Sequence, residues 1–240
     1  MFNIRGKYDY MMASQLFLQG DFSLLTFQEP AMSHNNNSKS WQAFKRKEMN
    51  SARIVAFETH HQILLYDSLK WGGKIFEEYS SFINGRILSI SFEFEKGQQI
   101  GFISIYSYTQ SNCPAIEKDR EALTIAVQEL TKKWKASYTN IQIIILGDFN
   151  ETSSIGTDNN IGNARIRSPP HGLLKTFQSS HTSIIRNRIL QQGSTYVTEF
   201  GEQGGRGIDH VLVPQGSSNN LTITNCIIDR KADMGLTTAK

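Results

Sequence analysis

The sequence predicts an α+β fold, in which strands that pair in an antiparallel meander are packed against helices. An almost unbroken apolar run at Ile141–Leu146 is typical of a strand buried on both faces. Residues 86–94 alternate between apolar and polar side chains, and a second strand pattern follows at 100–106, which indicates an antiparallel pair. Apolar residues recur at helical spacing over 116–136. Strands that are grouped in this way, without regular βαβ repeats, favour the α+β class.

The other elements are assigned from the same patterns. We expect the strand over 86–94 to be half-buried, because only one of its two faces is apolar. The adjacent pair His60 and His61 is predicted to lie in a turn, since neighbouring residues of a strand point to opposite faces and could not share a metal. Residues 201–207 are expected to be a flexible connection, and 151–170 a long polar loop at the mouth of a site. Further strands are predicted over 1–4, 22–28, 53–57, 62–66, 194–197, 208–213 and 221–228 and from 235 onward, with helices over 8–19 and 172–177.

Composition and charge restrict the class of protein. The 240 residues are 39% apolar and 20% charged, which predicts one soluble domain over 1–240. There is no apolar run of about 18 residues and no signal region, so we expect no membrane segment, no secretion, and an intracellular location, nuclear or cytoplasmic. Cys113 and Cys226 are then expected to be free thiols. The net charge of +3 permits a polyanionic partner without requiring one.

Polar residues stand where several predicted strands end. Glu29 follows the second strand, and Asp148 and Asn150 follow the buried strand at 141–146. Burying such groups without partners is costly, whereas a cleft at the edge of a sheet accommodates them. Glu29 is either a surface charge or a metal ligand, since hard divalent cations bind oxygen donors. The alternative for Asp148 and Asn150 is that they only form a turn, since both residue types favour turns.

Six short motifs along the chain share one order with a known family. They are FNIRG at 2–6, FQEP at 27–30, SIYSY at 104–108, GDFN at 147–150, GIDHVLV at 207–213 and ADMG at 232–235. This set resembles the endonuclease/exonuclease/phosphatase superfamily, also called DNase I-like, and is most similar to the endonuclease domains of retrotransposons. The resemblance extends over nearly the whole chain.

The resemblance implies a fold and a set of functional residues. The fold would be a four-layer αββα sandwich of two mixed, mainly antiparallel sheets. Asn3, Glu29 and Asp233 would hold Mg²⁺, or alternatively Mn²⁺. The catalytic residues carried over from the motifs are Tyr106, Asp148, Asn150 and Asp209.

The sequence departs from the family pattern at two places. Met234 stands where the family has the histidine that activates or orients water, and a thioether is not a useful proton acceptor at neutral pH. His210 follows Asp209 directly and should point to the other side of its strand, so we expect it to pack in the sheet rather than replace that histidine. Ser107 and Tyr108 stand where Ala-Pro is common, which predicts a different local turn.

We therefore expect a metal-dependent phosphodiester hydrolase, most similar to DNA endonucleases of retroelements, with activity impaired by Met234. The alternatives are an inactive relative that retains the fold and nucleic-acid binding, and a phosphatase of the same superfamily that acts on lipid or inositol phosphates. The expected partner is nucleic acid, DNA first. The resemblance further implies a monomeric domain of a larger polyprotein with a reverse transcriptase. Both ends are expected to be clipped, because the family's first and last strands are longer.

Overall fold

A computed structural model describes the structure of residues 2–3, 23–28, 39, 41–43, 45–46, 54–71, 74–109, 111–151, 172–184, 196–198, 201–206 and 208–216. The chain divides into two compact units, Met1–Asn150 and Glu151–Lys240. The predicted helix at 8–19 and the predicted strands from 221 onward lie outside the described residues.

The described residues of the first unit include eight strands, two α-helices, a 3-10 helix at Glu95–Gly97 and further helical residues at 39, 41–43 and 45–46. In chain order the strands and the two α-helices are β1 (Phe2–Asn3), β2 (Leu24–Gln28), β3 (Ile54–Glu58), β4 (Gln62–Asp67), α1 (Ser68–Trp71), β5 (Lys74–Phe82), β6 (Ile87–Glu93), β7 (Gln99–Tyr106), α2 (Pro114–Ser137) and β8 (Ile141–Asp148). One sheet has the order β1-β2-β4-β3, with β1 parallel to β2 and the other pairs antiparallel. In the other, β5, β6 and β7 form an antiparallel meander, and β8 joins β7 in parallel after α2.

The two sheets of this unit face each other. The Ser104 hydroxyl of β7 donates to Gln62 Oε1 of β4 at 2.6 Å and accepts from Gln28 Nε2 of β2 at 3.4 Å. All three side chains are buried. Nearby, the rings of Tyr66 in β4 and Phe92 in β6 meet edge to face, with centroids 5.2 Å apart. The interface between the sheets therefore combines apolar packing with a buried polar link centred on Ser104.

Helix α2 covers the opposite face of the second sheet. Trp134 lies directly over Gly101 of β7, where a Cβ atom would come within 2.3 Å of the indole ring. Ser91 of β6 is opposite Gly101 in the register and so shares this covered face. Ser89 and Ser91 are 1% and 0% exposed, and the prediction of a half-buried strand at 86–94 was therefore wrong. The small serines are buried because the helix packs closely against them.

The second unit contains one helix and four strands among its described residues. They are α3 (Gly172–Phe177), β9 (His181–Ser183), β10 (Tyr196–Thr198), β11 (Gly201–Arg206) and β12 (Asp209–Pro214). β12 pairs with β9, and β10 pairs with β11, both antiparallel. The expectation of a flexible connection over 201–207 was wrong, because residues 201–206 form a strand that pairs with β10.

Together these elements confirm the α+β class with two mixed sheets and helices. The helix over 172–177 and the turn at Thr59–His61 are also confirmed. Within the described parts of the chain, no helix is both long and apolar enough to span a bilayer.

Candidate active site

The turn after β8 places two of the predicted catalytic residues. Asp148 ends the strand and is 2% exposed, and its Oδ1 accepts a hydrogen bond of 2.9 Å from the backbone N–H of Asn150. Asn150 adopts a φ of 50°, a left-handed conformation that Asn tolerates better than most residues. The turn expected from these residue types is therefore present, and it fixes both side chains at the end of a buried strand.

Gly147 makes the close approach of β8 to β7 possible. Its φ is +143°, and a Cβ atom there would lie 1.9 Å from the carbonyl oxygen of Ile105 on the neighbouring strand. Only glycine fits such a backbone conformation at this distance without moving a strand. The close approach of the two strands thus explains why the GDFN motif begins with glycine, and it determines where Asp148 lies.

Tyr106 lies beside Asp148. The two residues are partners in the parallel register of β7 and β8, and both stand at the carboxyl ends of their strands. Ser107 connects them further: its N–H donates to the carbonyl of Asp148 at 2.8 Å, and its own carbonyl accepts from Asn150 Nδ2 at 2.9 Å. The structure therefore brings Tyr106, Asp148 and Asn150 together at one edge of the second sheet.

Arg86 holds the segment that follows β7. Its Nη1 donates to the carbonyls of Tyr106 at 3.1 Å and Ser107 at 3.4 Å. Its guanidinium carbon lies 4.8 Å from the ring centroid of Tyr106 and 3.9 Å from that of Tyr108, at distances suited to cation–π attraction. Arg120 of α2 donates to the Tyr108 carbonyl at 2.9 Å. Tyr108, which departs from the usual Ala-Pro, thus stacks on an arginine of the site.

His61 is a neighbour of this group that the sequence did not indicate. It lies in the turn before β4, and its ring centroid is 5.8 Å from that of Tyr106. Burial lowers the pKa of His61 below its usual value, and the charges of Arg86 and His60 lower the pKa further. The imidazole is therefore held toward its neutral form. The strand pairing could have indicated His61. The turn that contains His61 comes directly before β4, and β4 runs antiparallel to β2, so this turn lies beside the carboxyl end of β2.

The predicted metal ligands are only partly described. Asn3 ends β1 and its backbone lies opposite Gln28, which in turn pairs with Gln62, the residue after His61. The carboxyl ends of β1 and β2 therefore lie at the same edge as His61. Glu29 and Asp233 lie outside the described residues.

No group of three His, Cys, Asp or Glu side chains that could hold a metal ion occurs among the described residues. The chemistry of the described site nevertheless suits a hard cation such as Mg²⁺, since Asp148 contributes a carboxylate and Asn150 an amide.

Asp209 and His210 belong to the second unit. Asp209 is the first residue of β12 and is 8% exposed. His210 is fully buried, with Nε2 2.8 Å from the carbonyl oxygen of Glu151 and Nδ1 3.3 Å from Ser183 Oγ. The prediction that His210 packs in the sheet is confirmed by its position in β12 and its full burial. The buried carboxylate of Glu151 accepts the backbone N–H groups of Leu173 and Leu174 and so stabilises the start of α3.

Comparisons with solved structures identify the fold as the one adopted by endonuclease/exonuclease/phosphatase proteins. The 3′ phosphatase NExo from Neisseria, bound to a product DNA hairpin, has a TM-score of 0.60 at 13% identity, over 89% of this chain and 85% of that one. TDP2 of D. rerio, in complex with a single-strand DNA product, has a TM-score of 0.55 at 13% identity, over 92% and 84% of the two chains. The catalytic domain of human Nocturnin has a TM-score of 0.51 at 15% identity, over 85% and 73%.

Sequence comparisons give no further assignment, because no family model and no curated protein matches this chain. At identities of 13–15% the structural likeness establishes the fold and leaves the activity to be argued from the site.

Proposed function

We propose that this chain is a metal-dependent phosphodiester hydrolase that acts on nucleic acid, of the retroelement endonuclease type. The observation that carries the proposal is the convergence of Tyr106, Asp148 and Asn150 at one sheet edge. These are the side chains that the motifs assign to the reaction, and the fold that presents them is shared with NExo and TDP2, whose structures contain DNA.

Each residue has a role that its position permits. The buried Asp148 carboxylate accepts hydrogen bonds and can orient the attacking water. Asn150, held by Ser107, and the hydroxyl of Tyr106 can donate to phosphate oxygens, on which negative charge grows during attack. When bound, Mg²⁺ supplies positive charge to the same group. Glu29, with Asn3 and Asp233, would hold it.

Met234 limits the expected rate. General acid–base catalysis contributes about a hundred- to ten-thousand-fold, and methionine cannot supply it where the family has histidine. The proposal is therefore a weakly active enzyme. It includes one monomeric, intracellular domain over 1–240 that belongs to a longer polyprotein with a reverse transcriptase.

The test is a nicking assay on supercoiled plasmid with Mg²⁺. We expect slow cutting by the native chain, loss of cutting in Asp148→Asn and in Glu29→Ala, and a gain in Met234→His of up to about the factor that general base catalysis provides. Asp119→Asn makes the same chemical change on the exposed face of α2 and should cut like the native chain.

Two outcomes would contradict the proposal. Cutting that survives Asp148→Asn would separate the activity from this site. A folded Met234→His variant that does not cut would favour an inactive relative that only binds nucleic acid. Release of inorganic phosphate from inositol phosphates, without nicking, would instead support the phosphatase alternative.

A further inference from the structure

Two turns that are distant in sequence are tied together beside Tyr106. One contains His60 and His61 between β3 and β4, and the other precedes Arg86 between β5 and β6. The hydroxyl of Thr59 donates to the carbonyl of Gly85 at 2.8 Å. Gly85 has a φ of +83°, and a Cβ atom there would lie 2.7 Å from Thr59 Cβ, so the two turns are in close contact.

Further hydrogen bonds make this arrangement rigid. Gln62 Nε2 donates to the carbonyl of Arg86 at 2.7 Å, and the backbone N–H of His61 donates to Thr59 Oγ1 at 3.2 Å. A binding group that is already held in place loses less conformational entropy when a ligand arrives. Arg86 and His61 are therefore prepared for an interaction at this edge.

The charge of Arg86 has no carboxylate partner within the part of the chain that the structure describes. Nη1 is engaged by the carbonyls of Tyr106 and Ser107, which orient the guanidinium without neutralising it. The rings of Tyr106 and Tyr108 both lie within cation–π distance of it. A half-exposed guanidinium of fixed orientation is suited to bind a phosphate group through its remaining donors.

We propose that Arg86 and His61 form a subsite that binds a phosphate group of a nucleic-acid strand next to Tyr106. The subsite rests on the proposed function in taking nucleic acid as its ligand, and it adds two residues that none of the sequence motifs assigns to the reaction. It would hold a phosphate of the strand adjacent to the one that Asp148 and Asn150 act upon.

Phosphate binding by Arg86 and His61 should also depend on pH, because His61 can take up a proton. The groups that face His61 are Arg86 directly before β6, His60 in the same turn and Tyr106 at the end of β7, and Asp148 lies one strand further away. A bound phosphate would offset the positive charge of Arg86 and raise the pKa of His61. Since the complex would then take up a proton, affinity should increase as the pH falls below about 6.5.

The experiment measures binding without metal, so that cleavage plays no part. A fluorescently labelled single-stranded oligodeoxynucleotide is titrated with the native chain in EDTA, with anisotropy read at several salt concentrations and at pH values from 5.5 to 7.5. The variants are Arg86→Gln, Arg86→Lys and His61→Gln. The matched controls are Arg46→Gln, which removes an exposed charge that contacts neither Arg86 nor His61, and His60→Gln, the adjacent histidine.

We expect Arg86→Gln to bind about tenfold more weakly, and the slope of log K against log salt to become shallower by about 0.7, the value for one phosphate contact on a single strand. Arg86→Lys should keep the native salt slope. His61→Gln should lose the increase in affinity at low pH, and Arg46→Gln should bind like the native chain. His60→Gln should keep an increase in affinity at low pH, displaced to higher pH because the charge of His60 is one cause of the lowered pKa of His61.

Native salt dependence in a folded Arg86→Gln variant would overturn the subsite, as would a native pH dependence in His61→Gln or a native chain that does not bind the strand. If Arg86→Gln does not fold, Arg86→Lys and His61→Gln still carry the test. These results are separable from the proposed function. If binding depends on Arg86 but no nicking occurs, the proposed enzyme activity is refuted and the subsite is supported. If nicking depends on Asp148 but binding does not depend on Arg86, the enzyme activity is supported and the subsite is refuted.

Discussion

Replacing Gly147 by alanine should destabilise the first unit more than the change of one methyl group would suggest. The added Cβ atom would have to move from 1.9 Å to about 3.4 Å from the Ile105 carbonyl oxygen, which separates β8 from β7 by about 1.5 Å. Paired strands lie about 4.8 Å apart, so a shift of this size disrupts the ladder next to Asp148. Overpacking of this kind costs about 1–3 kcal/mol or more, and the left-handed φ of +143° adds strain. We expect the free energy of unfolding to fall by about 3 kcal/mol or more.

Gly97→Ala is the matched control for this prediction. Gly97 also has a positive φ, +71°, but a Cβ atom there would meet nothing within 4 Å. Gly97→Ala should lower the free energy of unfolding only by the cost of a left-handed backbone conformation, about 1–2 kcal/mol. Urea unfolding of both variants measures the difference, with the m-value expected to be unchanged. Equal losses in the two variants would refute the argument that the contact with Ile105 makes glycine necessary at 147.

Two further predictions concern the polar link between the sheets and the titration of His61. Ser104→Val removes the hydroxyl that joins Gln62 to Gln28 and should lower the free energy of unfolding by about 1–3 kcal/mol in urea, because buried amide groups lose a partner; native stability would show that the link is dispensable. Because the pKa of His61 is lowered in the folded chain, the unfolded chain binds more protons, so the free energy of unfolding should fall as the pH drops from about 6.5 toward the folded pKa. His61→Gln should flatten this dependence, whereas His60→Gln should retain it; an unchanged slope in His61→Gln would contradict the assignment.

Much of the site could be predicted because its signals are local. The buried strand at 141–148 is recognisable from its apolar run, and the polar residues that follow it mark the sheet edge. Tyr106 and Asp148 end consecutive strands joined by one helix, and parallel strands bring such ends together. These relations follow from strand order alone.

Other elements could not be predicted from local patterns. β5 lacks a steady alternation because its pairing with β6 shifts register between Ile75 and Glu77 and again between Glu77 and Ser80. β11 is rich in glycine and resembles a loop, and it becomes a strand through its pairing with β10.

Arg86 and His61 were missed for a related reason. Their proximity depends on the contact between Thr59 and Gly85, which are 26 positions apart. No periodic pattern in the sequence indicates that these two residues are in contact.

The carbonyl of Ser107 is an acceptor shared by two distant parts of the chain. Arg86 donates to it from 21 positions before, and Asn150 from 43 positions after. A substitution at either position alters the orientation of the peptide group on which the other depends. Substitutions at residues 86 and 150 are therefore expected to have non-additive effects on stability, because both act on this one peptide group.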